Sequence, residues 1–155
     1  MKKILVLTLV LFIFVGCSSN PDTIEGKLSD LGFKNENTDG DITYTLSAKN
    51  YQYTIVINEP KPEEGITETY LAFMVSNNVM DSSMFFVSNS TDYPTHFLES
   101  IYVCVYDESK ETFNEDCTEQ GKENLTTGIN EIKEYLSKLG VETITELREK
   151  WELEH

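Results

Sequence analysis

Four oxygen-bearing side chains alternate along one short stretch: Asn35, Asn37, Asp39 and Asp41, with Gly40 inside the run and Ile42 after it. Alternating oxygens around a glycine turn are what a loop offers a hard cation such as Ca2+. Leu46 stands where a bidentate carboxylate would close the shell. Asn, Asp and Gly are equally the residues of a tight β-turn. The four therefore read first as turn chemistry and second as a weak Ca2+ site. His96 lies between Pro94 and Phe97, with Asp92 and Glu99 near it in sequence. A catalytic set needs a nucleophile, a base and an orienting group. One histidine supplies one member, so no catalytic residue is assigned, no cofactor is expected and the chain does not read as an enzyme. It also lacks a Gly-rich phosphate loop, a G-x-S-x-G elbow and an H-E-x-x-H pair.

The elements that would position these groups follow from periodicity. Ile24, Leu28 and Leu31 recur at helical spacing and predict a helix over 22–32, with Glu25 placed for a capping box and Gly32 as a left-handed stop. Residues 33–38 read as a short edge strand, and Asp39-Gly40 as a hairpin turn. Ile42, Tyr44, Leu46 and Ala48 then alternate with Thr43, Thr45 and Ser47. Tyr51, Tyr53, Ile55 and Ile57 alternate with Gln52, Thr54 and Val56. A two-residue turn at Lys49-Asn50 would set Leu46 opposite Tyr53 and Tyr44 opposite Ile55, one apolar face and one Thr-rich face.

Residues 59–65 hold two prolines and three glutamates, Glu59, Glu63 and Glu64, and read as an exposed acidic loop. Residues 67–75 are apolar on both faces and predict a strand covered on both sides. Residues 84–88 and 100–106 read as further strands. Leu125, Ile129, Ile132, Leu136 and Leu139 form one stripe over 124–139, ended by Gly140. Ile144, Leu147 and Trp151 share a face of a last helix over 143–153, where Thr143 and Glu146 have capping-box spacing. The expected class is α+β: an N-terminal helix, an antiparallel meander sheet of five to six strands, and two C-terminal helices packed on one face.

The first 17 residues have a different character. Lys2 and Lys3 are followed by twelve residues, 4–15, that are apolar except for Thr8, and then by Gly16 and Cys17. A membrane span needs roughly 20 apolar residues, so this run is too short. An ordinary secretory signal wants small residues at the last and third-last positions, and Phe14 is bulky. The stretch resembles the signal peptide of bacterial lipoproteins, in which the cysteine of a short apolar-Gly-Cys motif is acylated and becomes the new N-terminus. The resemblance implies a signal over 1–16, a lipidated Cys17 with a short tether over 17–22, and a single domain over 23–155. It also implies a protein held on the cell membrane and facing outside the cytoplasm. There the remaining cysteines, Cys104 and Cys117, are most simply a disulfide.

Without residues 1–16, twelve Lys and Arg fall to ten against 27 Asp and Glu, a balance of −17. Nucleic-acid binding needs a basic footprint and is not expected. A basic protein or peptide is the partner such a surface favours, and Glu59, Glu63 and Glu64 are the candidate contacts. The acidic runs around Asp107-Glu108 and Glu115-Asp116 flank the cysteine pair. The expected function is a membrane-anchored binding or interaction module. The alternative is a small-ligand or weak Ca2+-binding surface protein, with an enzyme third.

Overall fold

The computed structural model describes residues 20–38, 41–77, 83–88, 96–99, 104–107 and 110–155. A short helix α1 (Ile24–Asp30) leads into eight antiparallel strands: β1 (Lys34–Thr38), β2 (Asp41–Ala48), β3 (Tyr51–Asn58), β4 (Tyr70–Asn77), β5 (Ser83–Ser88), β6 (His96–Glu99), β7 (Val105–Asp107) and β8 (Thr112–Phe113). Helices α2 (Glu119–Leu139) and α3 (Ile144–Glu154) follow. The strands lie in the sheet in chain order, each paired with the one before it. The architecture is thus the expected α+β meander with two C-terminal helices. The sheet has eight strands where five to six were expected. The extra ones are β6, four residues long behind Pro94, and β8, two residues long. Neither is long enough to show the alternation from which a strand is recognised.

Register follows the turns. Lys49 takes a left-handed φ of 58° in the β2–β3 turn. Leu46 then pairs with Tyr53 and Tyr44 with Ile55, as the alternation requires. Tyr53, Ile55 and Ile57 of β3 and Leu71, Phe73 and Val75 of β4 face one way and are enclosed. Helices α2 and α3 cover that face with Leu125, Ile129, Ile132, Leu136 and Leu139 of α2 and Ile144, Leu147 and Trp151 of α3, and Ile24 and Leu28 of α1 join the same core beside those two helices. On the opposite face Gln52 is exposed, while Thr54, Val56 and Met74 are half-buried. β4 is therefore enclosed on one side, while on the other Ala72 is buried and Met74 and Ser76 are half-buried.

Local chemistry sets the helix ends. Thr23 caps α1, its side chain accepting the Gly26 N–H at 3.1 Å. Gly26 is required here: a Cβ would stand 2.0 Å from the carbonyl oxygen of Asn20, which folds back over the first turn. α2 starts at Glu119, five residues ahead of the predicted start, and Thr118 caps it by accepting from Gly121 at 3.0 Å. Gly32 and Gly140 end α1 and α2 at φ of 89° and 78°. Thr143 caps α3 by accepting from Glu146 at 3.1 Å, while Glu146 accepts from Glu142 and so completes only half of a capping box.

Polar clasps fasten helices to sheet. The Tyr53 phenol donates to Glu131 of α2 at 2.6 Å, and Lys49 reaches Glu131 and Glu134 at 3.3 and 3.4 Å. Lys138 bonds to Glu134 at 2.6 Å and lies 4.4 Å over the ring of Tyr135. Those bonds, Lys138 first, hold Glu134 below the ordinary carboxylate range. On the neighbouring strand, two residues from Tyr53's partner Leu46, the Tyr44 phenol donates to Glu25 of α1 at 2.8 Å and accepts from Asn35 at 3.3 Å. Burial first, and then the carboxylate partner, raises both phenols above their usual pKa.

Candidate functional site

The link between β3 and β4 is a built feature. Lys61 and Ile66 exchange backbone bonds of 2.9 and 3.1 Å, closing a loop around a 3-10 turn, Pro62–Glu64. Gly65 completes the turn at a φ of 80° that other residues rarely adopt. Glu63 and Glu64 stand exposed on this spur. The two arms of the link meet the last turn of α3. Between them lies a cleft of about 420 Å3 lined by Glu59, Pro60, Thr67, Glu68 and Thr69 of the link and by Trp151, Glu152 and His155.

Three carboxylates reach this cleft from separate segments: Glu59 beyond β3, Glu68 ahead of β4 and Glu152 on α3. The lining includes no lysine or arginine. Its inner wall is Trp151, only 1% exposed, packed edge-on against Tyr44 at 6.1 Å. The Tyr44–Glu25–Asn35 clasp thus braces the wall from behind. His155 stacks on the indole at 4.0 Å and donates from Nδ1 to the Trp151 carbonyl at 3.1 Å. One turn earlier Arg148 is enclosed, 4% exposed. Arg148 Nε and Trp151 Nε1 are buried donors without an acceptor among the described residues. Burying donors in this way costs stability. A concave site with an apolar wall and an acidic rim suits a cationic group on an apolar stem.

The other sequence candidates are distributed elsewhere. Asn35 and Asn37 stand in β1, and Asp41 opens β2, where Thr38 pairs with it. Asn35 donates to Tyr44, and Asp41 accepts from Asn58. These three therefore stand on a strand ladder rather than curling around a centre; Asp39 lies outside the described residues. Among the described residues no group of three or more His, Cys, Asp or Glu is placed to hold a metal. His96 is a strand residue of β6, paired with Val87 and Asp107; its side chain lies outside what the structure describes. Cys104 and Cys117 are bonded, with Cα atoms 4.5 Å apart. Cys104 immediately precedes β7 and Cys117 immediately precedes the α2 cap. Asp107, which the acidic runs singled out, is nearly buried and bonded to Lys110 at 2.6 Å. Cys17 falls outside the described residues, and no helix among those described is long and apolar enough to cross a membrane.

Of the predicted contacts, Glu59 lines the cleft while Glu63 and Glu64 stand on the spur beside it. Sequence reasoning missed Glu68 and Glu152. They lie 9 and 93 positions from Glu59, and no local pattern links them. The one available signal was Trp151, the only tryptophan, at the end of an amphipathic stripe. No family model, curated protein or solved structure matches this chain.

Proposed function

We propose that this protein is a lipid-anchored binding module facing outside the cytoplasm of a bacterial cell, whose cleft takes a cationic side chain of a basic protein or peptide. Under this reading Cys17 carries the lipid, residues 1–16 are removed and the domain is not an enzyme. The observation that carries the proposal is the convergence of Glu59, Glu68 and Glu152 on one cleft with an apolar wall and no lysine or arginine in its lining. A deficit of 17 positive charges favours the same class of partner over long range and speeds its encounter.

Calorimetric titration with a short lysine-rich peptide tests it. Neutralising the cleft as Glu59→Gln, Glu68→Gln and Glu152→Gln together is expected to weaken binding about tenfold at low salt, since three partly exposed ion pairs are lost. A charge-matched variant with Glu36→Gln, Glu119→Gln and Glu123→Gln, all exposed away from the cleft, separates local contact from net charge. Equal losses in the two variants would remove the cleft from the account. The volume also favours a second reading, a small organic cation, because ligand pockets run from roughly 300 to 1,000 Å3. A thermal shift with an aromatic amine but none with the peptide would select it.

A further inference from the structure

We propose that the end of the molecule formed by the start of α1, the last turn of α3 and the β3–β4 link rests on the lipid bilayer, with Ile66 and Leu153 entering the boundary between headgroups and acyl chains. This rests on the reading of Cys17 as the acylated residue and names the face that such an anchor applies to the membrane.

The argument begins with the tether. Asn20 is held against α1: its carbonyl accepts from the Thr23 N–H at 3.0 Å and from the Thr23 hydroxyl at 2.7 Å. Gly26 gives that carbonyl the space it occupies. The chain is therefore fixed to the domain from Asn20 onward. Three residue steps separate Asn20 from Cys17, a reach of about 11 Å at full extension. A lipid on Cys17 leaves the domain little freedom to choose which end approaches the bilayer.

That end has a definite composition. Glu154 Oε2 accepts the Ile24 N–H at 2.7 Å, which sets the last turn of α3 beside the first turn of α1. The cleft shared by Trp151, Glu152, Glu59 and Glu68 brings the β3–β4 link to the same place. Among the described residues the large apolar side chains left exposed are Ile66, at 40%, and Leu153, at 87%. Both belong to this end, one on the link and one on the last turn of α3. Single exposed apolar residues are ordinary on a protein surface. Two of them on the segments brought to the tethered end are where membrane-dipping residues of an anchored domain would lie. Glu63 and Glu64 on the spur, with Glu59, Glu68 and Glu152 in the cleft, oppose anionic headgroups, so the surface that fits this end is a zwitterionic one.

The test uses the processed, acylated protein beginning at Cys17 in phosphatidylcholine vesicles. Leu153→Cys, at a side chain that packs on nothing, carries an environment-sensitive fluorophore; Ser47→Cys, exposed at the far end of β2, carries the same label as control. The expected result is a blue shift at position 153 and quenching by a shallow nitroxide lipid at least threefold stronger than at position 47. A label at 153 that is as wet on vesicles as in solution, on protein that is acylated and floats with the vesicles, overturns this proposal and leaves the anchor standing. An intact mass without acyl chains overturns the anchor reading, and this proposal with it.

Discussion

Tyr53→Phe isolates one interaction between helix and sheet. The ring remains, with its contacts to Tyr135 at 4.4 Å and Tyr51 at 6.1 Å. Only the phenol's donation to Glu131 at 2.6 Å is lost. A hydrogen bond to a charged group contributes about 1.5–3 kcal/mol. The Glu131 side chain is 17% exposed and keeps Lys49 at 3.3 Å, so ammonium and water recover part of the loss. We expect the lower end, about 1.5–2 kcal/mol. In a domain of this size that corresponds to roughly 5–8 °C in Tm. Urea unfolding followed by circular dichroism measures it, with an unchanged m-value showing that the unfolded reference is the same. Lys49→Gln removes a second partner from the same carboxylate. Lys49 is 55% exposed and screened by salt, so its midpoint should move less than half as far. A Tyr53→Phe variant within about 0.5 kcal/mol of the parent, or a larger shift from Lys49→Gln, would show that the buried phenol is not the dominant clasp.

Two further outcomes follow from the same packing. Ala exceeds Gly in helix propensity by about 1 kcal/mol, so Gly26→Ala would stabilise an exposed helix. Here the added Cβ meets Asn20 O at 2.0 Å and Pro21 Cα at 3.0 Å, both backbone atoms, and a net loss of about 1–3 kcal/mol is expected. A higher urea midpoint in Gly26→Ala would mean that the Asn20 carbonyl does not hold its place on α1. Alkaline pH tests the phenols. Burial and the partners Glu25 and Glu131 raise the pKa values of Tyr44 and Tyr53, so the folded state keeps protons that the unfolded chain releases from about pH 10. Their contribution is complete below that pH and is lost above it, at up to about 1.4 kcal/mol per pH unit for each phenol. Midpoints measured from pH 8 to 11 should decline in the parent and decline less in Tyr44→Phe with Tyr53→Phe; identical slopes would place the alkaline sensitivity elsewhere.

Much of the frame is local and was therefore legible. Alternation in β2 and β3 set their register, because slipping by one residue would turn Tyr44, Tyr53 and Ile55 outward. The stripe from Leu125 to Leu139 needed an apolar surface, and the enclosed face of the sheet supplied it. Gly32 and Gly140 stopped helices where only a left-handed residue serves. Shorter elements escaped because they carry little periodic signal: β6 and β8, and the first five residues of α2, which mix Gly121 with charge. Thr118 was available as a cap but was hidden among acidic residues and a cysteine.

The site divides along the same line. Sequence alone determined that a short apolar segment precedes an acidic domain, that the link after β3 cannot continue a strand, and that it carries Glu59, Glu63 and Glu64. These are properties of neighbouring residues, set by backbone sterics and by charge. Only the tertiary structure decided that Glu59 would face Glu68 and Glu152 across a tryptophan wall, or that Glu154 would bring the end of α3 to the start of α1. Helix and sheet must bury their apolar faces on each other, and the way they dock selects which distant polar residues come to share a rim. No local pattern encodes that choice, because it is made by the packing of the core as a whole.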